Sequence, residues 1–139
     1  MVVKNIKYVD YDGNERNENF YFHLTQADIV KMEMGVDGGL TRMINKIIET
    51  RDTTKILPIF EDFILKSYGE KSDDGRRFIK SPELAKAFTE TPAYSQLFME
   101  FITKPSEFAN FVNALAEGAQ TPDSPKVLPA SEPNITPVN

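Results

Sequence analysis

Apolar residues return at helical spacing in three separate stretches, and that repetition limits the folds open to the chain. Leu40, Met43, Ile44, Ile47 and Ile48 fall at i, i+3, i+4, i+7 and i+8. Tyr94, Leu97, Phe98, Phe101 and Ile102 repeat the spacing, and Phe108, Phe111, Val112 and Leu115 give a shorter version. Each stripe needs cover from water, so the pattern predicts short helices packed around a shared core. A further helix is expected from Thr54 to Tyr68, with Ile56, Phe60, Phe63 and Ile64 inward. Pro58 would be tolerated in its first turn, and Gly69 would close it.

Capping chemistry places the other helix ends. Thr25 reads as an N-cap with Asp28 in the positive first turn, and that helix should end at Gly35. Ser81-Pro82-Glu83 and Thr91-Pro92 each pair a capping hydroxyl with a proline at the first helical position, and Pro105 restarts the last helix. The chain opens differently. Ile6 and Tyr8 alternate with Asn5, Lys7 and Val9, Asp12-Gly13-Asn14 carries turn chemistry, and Asn19 to Phe22 resumes with aromatic strand formers. A β-hairpin is expected there.

Five of the nine prolines (Pro122, Pro125, Pro129, Pro133 and Pro137) follow Gln120, in a stretch without aromatics. Such a segment buries too little apolar surface to offset its ordering entropy. The expectation is an α+β fold, mostly α. An N-terminal β-hairpin precedes a compact bundle of about six short helices in one folded domain over residues 1–118, and a Pro-rich disordered tail spans 119–139.

Composition closes several routes to function. Lys and Arg number 16 against 21 Asp and Glu, a net charge of −5, which disfavours nucleic-acid binding. No cysteine is present, so disulfides, thiolate nucleophiles and Cys-based metal sites are absent. The start lacks the apolar core of a signal peptide, and the apolar stretches fall far below a membrane span, so a soluble, cytoplasmic protein is expected.

Few constellations suggest chemistry. Asp10-Tyr11-Asp12-Gly13-Asn14-Glu15 alternates oxygen ligands like a calcium loop, but its glycine stands fourth and its twelfth position is Tyr21 rather than glutamate. A hairpin turn explains the same residues. His23 is the single histidine, and a metal-dependent hydrolase would have to combine it with Asp10 and Asp12. Glu61 and Asp62 are adjacent rather than facing, and Gly38-Gly39 lacks the Lys-Ser/Thr ending of a phosphate loop. No cofactor is implied. The remaining signal is aromatic. Tyr94, Phe98, Phe101, Phe108 and Phe111 lie on two helices joined by a short proline turn, either as core or as a groove for an apolar helix of a partner.

Several of these stretches together resemble a known family. Ile6-Lys7-Tyr8-Val9-Asp10-Tyr11-Asp12-Gly13-Asn14-Glu15-Arg16 with Phe20-Tyr21-Phe22-His23-Leu24 is similar to the start of tail assembly chaperones of long-tailed bacteriophages and prophages of Gram-positive bacteria. Gly38-Gly39-Leu40 through Ile47-Ile48 adds to the likeness. So do Leu65-Lys66-Ser67-Tyr68-Gly69-Glu70-Lys71-Ser72, Asp74-Gly75-Arg76-Arg77-Phe78-Ile79-Lys80 and Tyr94-Ser95-Gln96-Leu97-Phe98-Met99-Glu100. The resemblance covers roughly residues 4–117. It implies a non-enzymatic protein that binds the tape measure protein in the host cytoplasm, yields to tail tube protein and is absent from the mature virion. It also implies, for many members, a frameshifted longer form of the same chain as a partner. A structural tail completion or adaptor protein is the alternative within the same setting.

Overall fold

The computed structural model describes residues 1–35, 42, 45, 49, 53–120 and 126–131. Strands β1 (Val2–Val9) and β2 (Glu15–Phe22) form the expected hairpin, paired antiparallel from Val2↔Phe22 to Val9↔Glu15. Its turn is held by one carboxylate. Asp10 Oδ1 accepts from the backbone N–H of Asp12 and of Asn14, each at 2.9 Å, and Oδ2 accepts from Arg16 Nε at 2.7 Å. Gly13 takes φ +85° at the reversal, a conformation that costs glycine no Cβ clash.

Period-two alternation sorts the hairpin faces. Val2, Lys4 and Ile6 are buried beside half-buried Tyr8 on the face toward the helices, with Phe20 and Phe22 opposite Lys4 and Val2. The outer face is polar at mid-strand, where the Asn5 amide donates to Asn17 Oδ1 and to Asn19 Oδ1.

Five helices lie among the described residues: α1 (Gln26–Gly35), α2 (Thr53–Ser67), α3 (Pro82–Thr89), α4 (Pro92–Thr103) and α5 (Pro105–Gln120). The capping residues act as read. Thr25 and Asp28 exchange a reciprocal pair of bonds, Thr25 N–H to Asp28 Oδ2 at 2.9 Å and Asp28 N–H to Thr25 Oγ1 at 3.1 Å. Ser81 Oγ accepts from Leu84 N–H at 3.0 Å, and Thr91 Oγ1 from Tyr94 N–H at 3.3 Å. The expected sixth helix over Leu40 to Ile48 lies largely outside the described residues. Of that stretch the structure describes Arg42 and Asn45, and just after it Glu49, as helical and exposed.

Three expectations are corrected. Pro58 is the sixth residue of α2, past the first turn, so the helix carries it at the loss of one backbone N–H donor. Gly69 does not close that helix. α2 stops at Ser67 and the chain runs directly into β3 (Tyr68–Lys71), which pairs with β2 on one side and with β4 (Phe78–Ile79) on the other. Gly69 sits inside β3, where an added Cβ would meet Ile79 O at 2.6 Å, so the close approach of β4 requires glycine. The segment 119–139 was expected to be disordered throughout, yet α5 reaches Gln120 and Lys126–Ser131 forms β5 beside β1.

The result is a five-stranded sheet in the order β4-β3-β2-β1-β5, parallel only where β5 meets β1. Its core is aromatic. Phe22, Phe60, Phe63, Phe88, Phe101, Phe108 and Phe111 are all fully buried. Phe22 from the sheet contacts Phe111 of α5 edge-on at 5.2 Å between ring centres, and Tyr68 stacks on Phe88 at 4.2 Å.

Candidate functional site

The five aromatic residues singled out from the sequence separate into two sets. Phe101, Phe108 and Phe111 are at most 1% exposed, because the fold supplies more cover than two helices could. Phe60 of α2 closes on Phe108 at 4.3 Å, Phe63 meets Phe108 edge-on, and Phe22 of β2 caps Phe111. These three rings belong to the core. Tyr94 and Phe98 lie half-buried at its rim, stacked at 5.8 Å with 24° between planes. The Tyr94 hydroxyl donates to Glu61 Oε2 at 3.1 Å, and burial together with the nearby Glu61 charge pushes the phenol well above its ordinary range.

An apolar groove opens elsewhere, between α1, α2 and the start of α3. Its volume is about 880 Å³, and Leu24, Met32, Pro58, Ile59, Phe63 and Ala85 form its apolar lining. Charged groups edge it: Asp28, Lys31, Asp62, Lys66 and Lys80. Two ion pairs neutralise most of that edge. Lys80 Nζ lies 2.9 Å from Asp28 Oδ2 and also donates to His23 O at 3.1 Å, and Lys66 Nζ lies 3.0 Å from Asp62 within α2. Lys31 has no ion-pair partner among the described residues, so the edge carries one surplus cation. Partial burial pushes the Asp28 carboxyl up, but the Thr25 N–H and Lys80 outweigh it and hold it below the ordinary carboxylate range.

A family model described as phage tail assembly chaperone matches residues 1–116. The chain belongs to that family. No curated protein and no solved structure matches it. The family match takes in both hairpins, all the groove residues of the chaperone and α5 as far as Ala116, and β5 follows it. No helix among the described residues is long and apolar enough to cross a membrane.

Nor does the chaperone bring the candidate hydrolytic residues together. Asp10 and Asp12 sit at the hairpin turn, while His23 follows the far end of β2. Eight strand residues separate the two ends, about 26 Å at ~3.3 Å per residue. Both Asp10 oxygens are already hydrogen-bonded, and no cluster of His, Asp and Glu suited to a metal occurs among the described residues. The His23 ring packs edge-on against Phe78 at 5.9 Å with Nδ1 buried and unpartnered. Burial, then the chain's amino terminus and Lys80, lower its pKa, so the neutral ring is favoured.

Sequence reasoning missed the groove. Its lining comes from three regions that are distant in sequence, 24–32, 58–66 and 80–85, and none carries a local motif. The one readable hint was Pro58 and Ile59 on the outer side of a helix otherwise assigned to the core.

Proposed function

We propose that this tail assembly chaperone works by binding an amphipathic helix of the tape measure protein in the groove between α1, α2 and α3. The observation that carries the reading is an apolar trough edged by charge, lying beside a large aromatic core whose rings are buried. Apolar floors with polar edges accept one face of a helix, with anchors at i, i+3 or i+4, and i+7. A tape measure chain with bare apolar faces would otherwise aggregate. Many weak contacts along it hold by avidity, and each releases quickly enough to yield to arriving tail tube protein.

In this reading the chaperone shields and releases without making or breaking covalent bonds. It acts in the host cytoplasm and leaves before the virion is complete. The surplus charge at Lys31 favours a helix with an acidic residue beside its apolar face. The test is co-expression of the full chain with a tagged tape measure fragment. Ile59→Asp and Met32→Asp should abolish co-purification while far-UV circular dichroism stays as in the wild type. Capture that survives both substitutions in folded protein rejects the groove as the contact. Mass spectrometry of finished particles should find no chaperone, and its presence at stoichiometric levels would point instead to a structural adaptor.

A further inference from the structure

β1 and β5 form the one parallel pair of the described sheet, and β5 comes from late in the chain. Val2 pairs with Lys126, Val3 with Val127 and Lys4 with Leu128, and the register then breaks before Ile6 meets Ser131. Pro129 falls at the break, where a residue without a backbone N–H interrupts the ladder least. Among the described residues β5 is an edge strand, paired on one side only through four register partners with one break.

The β1 edge nevertheless needs a strand. With β5 in place Val2, Val3, Lys4 and Ile6 are between 0% and 7% exposed, so its departure would leave backbone groups along this edge without their partners. Among the described residues the other edges are poorer templates: β4 has two residues, and β5 contains Pro129, which has no N–H to offer a further strand. What fits the β1 edge is therefore the particular segment Lys126–Ser131, and every copy of the chain carries one. Five residues, 121–125, connect it to α5. A connector of five residues reaches at most about 17 Å, which confines any donor to a copy in direct contact.

We infer that the β1 edge is an exchangeable strand-docking site, filled by Lys126–Ser131 of the same chain or by that segment of a second copy. Pairing is the same in both arrangements, so local concentration decides between them, and crowding of copies drives the exchange. Successive exchange links copies through a shared sheet without any new interface chemistry. The inference does not rest on the groove or on what binds there.

The chain has no cysteine, which gives a background-free test. Single variants V3C and V127C, placed at register partners, are mixed at rising concentration under mild oxidation and run on a non-reducing gel. Exchange predicts a V3C–V127C disulfide dimer well in excess of either homodimer, increasing with concentration and suppressed by excess wild type. The double variant V3C/V127C should give both a closed monomer and linked multimers. If V3C perturbs folding by circular dichroism, the neighbouring pair V2C and K126C replaces it. A double variant that closes only on itself at every concentration, with no mixed dimer, overturns exchange. A double variant that forms no bond at all removes β5 from the β1 edge and overturns the inference at its root. Neither result changes the expectation for tape measure capture.

Discussion

Lys4 Nζ lies 2.8 Å from Glu100 Oε2, an ion pair that joins the helix-facing side of β1 to α4. Side-chain exposures of 3% and 12% put both charges largely out of water. Lys4 occupies a position that strand alternation reserves for an apolar side chain, between Val2 and Ile6. The pair therefore fixes how α4 sits on the sheet more than it adds net stability, since desolvating two charges offsets most of their attraction.

Removing one partner should be worse than removing both. Glu100→Gln removes the carboxylate 2.8 Å from the buried Lys4 ammonium and should destabilise the chain by about 3 kcal/mol. Lys4→Met combined with Glu100→Leu should recover most of that loss. Urea unfolding midpoints of the single and double variants measure it, and equal losses in both would contradict this account of the pair.

Rings assigned to the core and rings at its rim should behave differently. Phe108→Ala removes a fully buried ring that touches Phe60, Phe63, Phe101 and Phe111, and should cost about 3–5 kcal/mol. Phe98→Ala, at a half-buried position, should cost clearly less. Thermal melts of the two variants side by side give the comparison.

Gly69 tolerates no side chain. Gly69→Ala places a methyl 2.6 Å from Ile79 O and 2.7 Å from the Phe78 ring, so β4 must move away. A loss of about 1–3 kcal/mol is expected. Amide exchange should quicken first at Glu70 and Lys71, which pair with Ile79 and Phe78.

Acid should weaken the fold in two steps. The His23 pKa is lowered by burial, so the unfolded chain binds the proton first, and stability falls as pH drops from about 6.5 through the lower folded value. The Asp28 pKa is also lowered, in spite of its burial, by Thr25 and Lys80. Its contribution is complete above the unfolded value of 3.8 and is lost as pH falls through the folded one. His23→Gln should flatten the first step and Lys80→Met should shrink the second, read from denaturation midpoints across pH 3 to 7.

What the sequence made legible was local. Thr25, Ser81 and Thr91 declared helix starts because capping depends on residues three apart, and Asp10 to Asn14 declared a turn for the same reason. The strand Tyr68–Lys71 was hidden because Gly69 imitates a helix stop, and only the backbone of β4 arriving from nine residues downstream makes that glycine a strand residue. β5 was hidden by Pro129, whose tolerance depends on an edge position and a register break against β1. The burial of Phe101, Phe108 and Phe111 was equally nonlocal, since Phe22 and Phe60 complete their cover. The groove follows the same logic: Leu24, Met32, Ile59 and Ala85 share a wall only after three segments have packed.

The most direct test of the central claim is calorimetric titration of the purified full chain with a recombinant tape measure segment of amphipathic helical pattern. Saturable binding in the micromolar range, with a negative heat-capacity change and loss of the signal in folded Ile59→Asp, is the predicted result. Wild-type chain that takes up no such segment at those concentrations, or Ile59→Asp that binds as well as wild type, would contradict it.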